Sequence, residues 1–389
     1  MRVNLYGNVA NTMYMLAKYL RLKGIEARLI ISREDAARES RYSPFWEDPE
    51  LGDLPEWVHC VESIHLFHYW MPQGKELVHQ LADCDIVQVS GLGPVWASRT
   101  GNPFVFFASG GDFNVIPLMK TGTVKQRMWT YLQRRALHRA DLVLYGPWQE
   151  GAAIELRLGN GRYFPPFPID AQKYRPTSAQ TRKMIRGQIG GELILFHPTR
   201  QIHRYENPVP GVINFPKVND RLIRAFATFL NETDIDARLV LVRVGPHVGQ
   251  ACYLISKLGI ESQVIWLEAV EKEVLVDYYG AADIIFDQFS GIKKLGLSLV
   301  GREAMSCGRP LVTFFDLEGN REYYEDPPPL VSASTEDEIG AAIRRLAQCP
   351  EEREDLGRRA REWVFKTHHW EVAIDRYIAI YEEILTRNV

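Results

Sequence analysis

The chain has 389 residues, a formal net charge of −3, and 46% apolar and 24% charged residues. That length exceeds a single compact core, so two domains of about 150–200 residues are expected. The small charge provides no field that would recruit nucleic acid, no apolar run reaches the roughly 18–20 residues that span a bilayer, and the five widely spaced cysteines fit reduced thiols better than a disulfide framework or a zinc site.

The first half of the chain predicts strands separated by helix-length segments. Residues 3–6 form a strand, Gly7 and Asn8 a turn, residues 9–23 a helix with one apolar face, and residues 27–31 a second strand. Further strands are predicted at residues 86–90, 103–107 and 142–145. This alternation predicts a parallel sheet with helices on both faces.

A proline-rich stretch near residues 164–170 predicts the linker to a second domain of the same kind. Its predicted strands are residues 193–196, 239–244, 264–267, 284–286 and 311–315. Its predicted helices are residues 218–231, 249–258, 271–281 and 336–348. Residues 370–385 then form a strongly periodic helix. The expected fold class is therefore α/β, with two doubly wound domains.

The run from Gly296 to Phe314 predicts a short helix that contains Glu303, ends at Gly308 and gives way to a buried strand after Pro310. Such a helix suits a sugar nucleotide, because its N-terminus favours the diphosphate and its carboxylate accepts hydrogen bonds from a ribose. A surface helix followed by a core strand is the structural alternative.

Two cations form a second motif. Arg200 follows the predicted strand 193–196, and Lys217 precedes the predicted helix 218–231. An arginine and a lysine at the mouth of a cleft can neutralise a diphosphate as it leaves. An ordinary pair of surface cations is the structural alternative.

These motifs resemble those of the retaining glycosyltransferases with the GT-B fold, family 4, also called glycosyl transferases group 1. Residues 303–312 resemble the family's donor-site signature E-A-M-A-x-G-x-P-V-V. Arg200 and residues 217–226 resemble its G-R-L…K-G-x-D-x-L-L-x-A-F pattern. Residues 170–175 resemble the joint between the family's two domains, and residues 368–370 resemble the entry to its last helix. The resemblance covers nearly the whole chain.

The resemblance implies two Rossmann-like domains that face each other across a cleft. Residues 1–172 would bind the acceptor, and residues 173–371 would bind the nucleotide sugar. The last helix would cross back, so that about 372–389 complete the first domain.

The resemblance also implies roles for single residues. Arg200 and Lys217 would stabilise the departing diphosphate, Glu303 would hold the ribose, and Gly296 and Leu297 would line the donor. Some features depart from the family, and Val218 and Ser298 stand where it usually has glycine. Leu295 stands where the first Glu of its Glu-x7-Glu motif contacts the donor sugar, and residues 201–216 form a longer loop between the two cations.

The first predicted domain contributes three candidates. Gly7 and Asn8 follow the first strand, where a tight turn lets backbone N–H groups approach an anion of the donor. Asp112, in the run Ser109-Gly-Gly-Asp, resembles the acidic residue of the family's H-G-x-D, which implies a place on the acceptor side. Turns that merely pack are the alternative for all three.

Residues 113–140 contain six basic residues and no acidic one, interleaved with aromatic and apolar side chains. A solvated helix face is the ordinary explanation. An aromatic and basic amphipathic helix also fits peripheral docking on an anionic membrane.

The resemblance thus implies a retaining glycosyltransferase. It would move a sugar from a nucleoside-diphosphate sugar to a hydroxyl of a saccharide or lipid-linked acceptor, with no metal, no other cofactor and no nucleic acid. A sugar-nucleotide epimerase of the same fold and a non-catalytic sugar-nucleotide-binding subunit are the alternatives. Because residue 3 already begins a strand, no signal peptide is expected. The expected location is the cytoplasm, or the inner face of the membrane.

Overall fold

The computed structural model describes residues 1–40, 42–204 and 217–387, so most of the predicted long loop, residues 205–216, lies outside the described residues. The chain divides into two compact units. We call them the N-unit, residues 1–168 with 370–387, and the C-unit, residues 169–204 with 217–369. Each unit contains its own parallel sheet and its own apolar core.

In the described part of residues 1–168, seven parallel strands form the sheet of the N-unit, in the order β3-β2-β1-β4-β5-β6-β7. They are β1 (Arg2–Tyr6), β2 (Glu26–Ser32), β3 (Val58–Val61), β4 (Ile86–Val89), β5 (Phe104–Phe107), β6 (Leu142–Tyr145) and β7 (Gly161–Tyr163). The central strands β4 and β5 are buried at every position, as expected for strands covered on both faces.

Helices cover that sheet. They are α1 (Thr12–Leu22), α2 (Arg33–Ala36), α3 (Pro44–Glu47), α4 (Pro72–Ala82), α5 (Gly93–Ala97), α6 (Gly111–Asn114), α7 (Val124–Leu137) and α8 (Glu150–Leu156). The predicted apolar face of α1 is confirmed, since Met13, Leu16, Ala17 and Leu20 are fully buried. The helix forms because these residues recur with a helical period and pack on the sheet.

Between residues 169 and 369, with 205–216 left out, six parallel strands form the second sheet, in the order β10-β9-β8-β11-β12-β13. They are β8 (Leu193–His197), β9 (Ala237–Val242), β10 (Val264–Leu267), β11 (Ile284–Phe286), β12 (Leu311–Thr313) and β13 (Val331–Ser332). The helices of this unit are α9 (Ala179–Ile189), α10 (Asn219–Glu232), α11 (Val248–Leu258), α12 (Lys272–Ala281), α13 (Leu299–Ser306), α14 (Glu336–Gln348) and α15 (Pro350–Thr367). The two sheets confirm the predicted doubly wound α/β class.

The last described helix, α16 (Trp370–Arg387), belongs to the N-unit, although it follows the C-unit in the chain. Ile374, Tyr377 and Tyr381 are fully buried in the same core as α1. The ring of Trp370 stacks on Tyr19 with centroids 5.3 Å apart. The core of the N-unit is therefore assembled from two segments that are far apart in sequence.

Within the residues that the structure describes, no helix is both long enough and apolar enough to cross a bilayer.

Candidate functional site

The strand order reverses beside the first strand of each sheet. β1 lies between β2 and β4, and β8 lies between β9 and β11. In open parallel sheets ligands bind at this switch point, beyond the carboxyl ends of the strands, because the loops there diverge. Gly7 and Asn8 follow β1, and Arg200 follows β8, so the predicted residues lie at the two switch points.

Lys217 is half-buried, and its segment contacts the residues that follow β11. Its Nζ donates a hydrogen bond to Oε1 of Gln288 at 2.8 Å, and its carbonyl oxygen accepts one from the amide of Phe289 at 3.0 Å. Burial raises the pKa of the neighbouring Asp287, and the charge of Lys217 acts in the opposite direction. The structure therefore places this ammonium group at the switch point of the C-unit.

Arg200 is exposed and lies just past the end of β8. Its carbonyl oxygen accepts a hydrogen bond from Nδ2 of Asn219 at 3.2 Å. The amide of Lys217 donates to the carbonyl oxygen of Ile202 at 2.8 Å. These bonds hold the two segments together, so the structure brings both predicted cations into adjacent segments at one end of the sheet.

A buried polar network under Arg200 fixes this loop. Nδ1 of the fully buried His197 lies 2.9 Å from the carbonyl oxygen of Phe286. Nε2 accepts hydrogen bonds from Nδ2 of Asn219 and, at 2.8 Å, from the hydroxyl of Thr199. Burial lowers the pKa of His197 to about 4. The imidazole is therefore neutral near pH 7, with its proton on Nδ1, and adds no charge beside the two cations.

This lowered pKa predicts a loss of stability in acid. Unfolded His197 takes up a proton near pH 6.5, whereas folded His197 stays neutral down to about pH 4. Neutral His197 therefore contributes about 3 kcal/mol to the free energy of unfolding above pH 6.5. This contribution is lost as the pH falls through about 4. We expect His197→Gln to lack that slope when urea unfolding is compared with wild type between pH 7 and 4.5. Parallel curves for the two proteins would contradict the prediction.

Glu303 lies in α13 with 2% of its surface exposed. Its Oε1 is 2.6 Å from Nζ of Lys272, and its Oε2 accepts a hydrogen bond from the hydroxyl of Tyr279 at 2.9 Å. Nζ of Lys272 also donates to the hydroxyl of Tyr174 at 3.0 Å. Both carboxylate oxygens thus have partners inside the C-unit, and a ribose would use their remaining lone pairs. The ribose contact stays a prediction.

The predicted donor residues Gly296 and Leu297 directly precede the N-terminus of α13. The next residue, Ser298, caps the helix, because its Oγ accepts a hydrogen bond from the amide of Gly301 at 3.1 Å. The same hydroxyl donates to Oδ2 of the buried Asp287 at 2.5 Å. Oδ1 of Asp287 has no hydrogen-bond partner among the residues described. The donor loop is thereby attached to the carboxyl end of β11.

Leu295 is 7% exposed, and its carbonyl oxygen accepts a hydrogen bond from Nδ2 of Asn320 at 3.4 Å. Its side chain is apolar and packed. The position where the resembling family has a sugar-binding carboxylate therefore offers no polar group to a donor sugar.

In the N-unit, Gly7 makes the close turn that the sequence predicts. Its φ is +82°, and a Cβ there would lie 2.9 Å from the carbonyl oxygen of Ser90. The buried amide of Asn8 binds within the loop: Oδ1 accepts from the amide of Tyr14 at 2.9 Å, and Nδ2 donates to the carbonyl of Tyr42 at 2.6 Å. These hydrogen bonds hold the turn in place, and its contact with a donor anion stays a prediction.

Asp112 lies in α6 and is buried. Its carboxylate accepts backbone N–H bonds from Ser109 at 3.1 Å, from Gly110 at 2.6 Å and from Gly91 at 3.0 Å. Burial raises its pKa to about 6, although these hydrogen bonds lower it. Asp112 therefore joins the loop after β5 to the loop after β4, whose Ser90 contacts Gly7. Its catalytic or acceptor-side assignment stays a prediction.

Several residues at the C-unit site were not singled out by sequence reasoning. Lys272 and Tyr279 hold Glu303, and Gln288 holds Lys217. Lys272 carries no motif around it, and its pairing with Glu303 depends on how α12 packs against α13. The polar run with interspersed glycines that begins at Asp287 could have identified Gln288 as a site residue.

Across residues 1–40, 42–204 and 217–387, no three His, Cys, Asp or Glu side chains are arranged to hold a metal ion. Metal independence of the chemistry stays a prediction.

Comparison with known sequences found a family model that matches part of the chain. Residues 209–363 match the family model of the glycosyl transferases group 1. N-acetyl-alpha-D-glucosaminyl L-malate synthase of Bacillus anthracis is 28% identical over 178 residues, which are 45% of this chain and 45% of that protein. MMP alpha-(1->4)-mannosyltransferase of Mycolicibacterium hassiacum is 25% identical over 228 residues, which are 57% of this chain and 48% of that protein. The chain spans about half the length of these curated relatives.

Comparison with solved structures identifies proteins of similar fold. Alr3699/HepE of Anabaena, in complex with UDP, is similar with a TM-score of 0.71 at 16% sequence identity, over 98% of this chain and 100% of that chain. HepE is also solved in complex with UDP-glucose. This likeness confirms the predicted GT-B fold.

Proposed function

We propose that this chain, which has the GT-B fold and whose residues 209–363 match the family model of the glycosyl transferases group 1, is a retaining glycosyltransferase of family 4. It moves a sugar from a nucleoside-diphosphate sugar to a hydroxyl of a saccharide or lipid-linked acceptor, in glycan, polysaccharide or glycolipid synthesis.

The observation that carries this proposal is the set of groups at the C-unit switch point. The side chain of Lys217, the exposed Arg200 and the N-terminus of α13 all follow the carboxyl ends of β8 and β11. Cations and a helix N-terminus are the groups that bind a diphosphate. The family match includes Lys217 and Glu303. A GT-B neighbour, HepE, binds UDP and UDP-glucose, which supports a nucleoside-diphosphate sugar as the donor.

In the proposed reaction the bond between the anomeric carbon and the β-phosphate oxygen breaks as the acceptor oxygen bonds to the same face of the sugar. The acceptor proton passes to the leaving phosphate oxygen, so no side-chain base is required. Negative charge grows on the diphosphate in the transition state, where Arg200 and Lys217 stabilise it most. Glu303 positions the ribose. No metal takes part, because these side chains and the helix N-terminus meet the charge.

The test is incubation with radiolabelled sugar nucleotides, first UDP-glucose, with and without saccharide acceptors. Transfer, or slow release of free sugar from the donor, supports the proposal. Conversion of the donor sugar without acceptor would show an epimerase, and binding without any turnover would show a non-catalytic subunit. An arm with excess chelator tests metal independence, since activity that disappears with chelator and returns with manganese would overturn that part.

For the acceptor side we propose peripheral contact with an anionic membrane, at its inner face, through residues 113–140. Lys125, Arg127, Arg134 and Arg135 are exposed on or beside α7, where Val124 is 82% and Tyr131 58% exposed. The buried face of α7 packs on Val95 and Tyr69. Near Tyr69 in sequence, residues Phe67 and Trp70 are 58% and 65% exposed. Basic side chains interleaved with exposed apolar ones favour an anionic lipid surface.

We expect vesicles that contain phosphatidylserine to bind the protein, and vesicles of phosphatidylcholine alone to bind it much less. Changing both Arg134 and Arg135 to Gln should weaken binding about 30-fold, because each basic residue near such a surface contributes about 1 kcal/mol. The matched control is the pair Arg344→Gln and Arg345→Gln on α14, measured by vesicle cosedimentation. Equal losses in both variants, or binding independent of lipid charge, would contradict the membrane proposal.

A further inference from the structure

A cavity of about 370 Å³ lies in the C-unit at the amino ends of the strands. Its walls come from α9, from the turn between α13 and β12, and from the first part of α15. Asp283 lies directly before β11, and Arg309 lies two residues before β12. Arg200 and Asp287 follow the carboxyl ends of β8 and β11. The cavity and the candidate donor site therefore lie at opposite ends of the strands.

Positive charge dominates this cavity. Five arginines and two carboxylates line it, a formal excess of three positive charges. Both oxygens of one carboxylate, Asp283, already accept hydrogen bonds. Oδ1 accepts one from Arg182 at 3.0 Å, and Oδ2 accepts one from Arg186 at 2.7 Å and one from the amide of Ile194 at 2.8 Å. Arg358 also pairs with carboxylates, Asp355 at 2.6 Å and Glu362 at 2.8 Å. Arg309, Arg353 and Arg361 therefore line the cavity without an ion pair among the residues described.

Arg309 is the least compensated of them. Its Nε is buried and has no hydrogen-bond partner in the part of the chain that the structure describes. Burial and the charge of the neighbouring Arg182 lower its pKa to about 10, and the charge of Asp283 acts in the opposite direction. The residue as a whole is half-buried, and a guanidinium partly withdrawn from water among like charges is costly unless an anion pairs with it.

The position of Arg309 is fixed by close packing. A Cβ on Gly357 would lie 2.2 Å from the carbonyl oxygen of Gly308, so α15 packs backbone to backbone on the turn that precedes Arg309. Arg361 holds the same turn, because it donates to the carbonyl oxygens of Ser306 and, at 3.2 Å, of Tyr174. The arginines therefore surround a preformed space rather than a flexible surface.

We propose that this cavity is a second anion site, separate from the donor site, and that it binds a phosphate group. The phosphate is either free inorganic phosphate or part of a larger phosphorylated molecule. Arg309 donates to it from within the wall, and Arg353 and Arg361 supply charge around it. The N-terminus of α15 begins at Pro350 in the lining and adds its positive end. Guanidinium groups match phosphate oxygens in geometry as well as in charge.

The test is a calorimetric titration of the full chain with inorganic phosphate at low ionic strength. Arg309→Met should weaken binding about 10- to 100-fold, and Arg309→Lys should weaken it less because the charge remains. Two controls should bind as wild type does: Arg344→Met, which removes a surface arginine paired with Glu232, and Lys217→Ala, which removes a cation of the donor site. Wild-type affinity in Arg309→Met, or lost binding in Lys217→Ala, would overturn the proposal.

Thermal unfolding gives an independent readout. Without phosphate, Arg309→Met should melt at or above the wild-type temperature, because a half-buried charge without an ion pair has been removed. Phosphate should raise the melting temperature of wild type and not of the variant. A rise of equal size in both proteins would contradict the site. Glucose 1-phosphate is the second probe: tighter binding than inorganic phosphate identifies a phosphorylated molecule as the ligand, and equal binding identifies free phosphate.

Discussion

Replacing Lys217 with alanine is expected to lower the turnover number about 10²–10³-fold, and replacing Arg200 with alanine is expected to do the same. Each change removes a cation from the switch point of the C-unit, where the leaving diphosphate gains negative charge. Because that charge is largest in the transition state, the loss should fall mainly on kcat rather than on KM. Initial-rate kinetics with the accepted sugar nucleotide would measure both.

Stability should change little in these two variants, since Arg200 is exposed and Lys217 is half-buried. Thermal unfolding of each variant checks this. Lys257→Ala is the matched control, because Lys257 is an exposed cation near the end of α11. Wild-type turnover in either site variant would remove that residue from the mechanism, and a similar loss in Lys257→Ala would indicate a general effect of charge.

Glu303→Gln is expected to weaken binding of the free nucleoside diphosphate about 10- to 100-fold. A hydrogen bond to a charged group contributes about 1.5–3 kcal/mol, and the contact is to the ribose rather than to the transferred sugar. The structure adds an expected loss of stability, because the carboxylate also pairs with Lys272 and accepts a bond from Tyr279. Calorimetry with UDP and thermal unfolding would measure the two effects separately.

Lys272→Met separates the structural role of Glu303 from its binding role. This change leaves the carboxylate buried without its cation, which should cost about 3–5 kcal/mol of stability. The double variant Lys272→Met with Glu303→Leu should regain much of that loss and still bind the nucleotide poorly. Normal UDP affinity in Glu303→Gln, together with a lower melting temperature, would show that Glu303 is only a structural partner of Lys272.

The parts of the fold that could be predicted from the sequence are those with a strong local period. The buried strands β4, β5, β8 and β11 are short apolar runs, and α10 shows an apolar stripe that is indeed buried. Three of the four edge strands, β3, β7 and β13, were missed, and β3 and β13 show the physical reason. β3 has two exposed side chains among its four residues, and β13 has only two residues. Such strands are identified by their pairing partner rather than by their own composition.

The long helix α15 was also missed, because its eighteen residues are mostly charged and only five are buried. The arginine-lined cavity was therefore not visible in the sequence either. It requires α15 to pack against the turn at Gly308, and no local pattern predicts that contact.

The residues of the candidate site were likewise predicted only in part. Motifs located Lys217 and Glu303, since each lies next to a recognisable helix start or stop. They did not locate Lys272, which is 31 residues from Glu303 in sequence and meets it only through packing. They also gave no sign that Asp112 binds backbone amides of two loops, because that depends on the pairing of β4 with β5.

The placement of α16 has a consequence for synthesis of the protein. Residues 1–168 leave the ribosome before the whole C-unit, and their core is completed only when residues 370–387 arrive. At about 5–20 residues per second, the roughly 200 intervening residues take on the order of 10–40 s. During that interval the apolar surface around Tyr19 and Leu16 is uncovered in the nascent chain. The C-unit, whose segments are nearly continuous, can complete its core first.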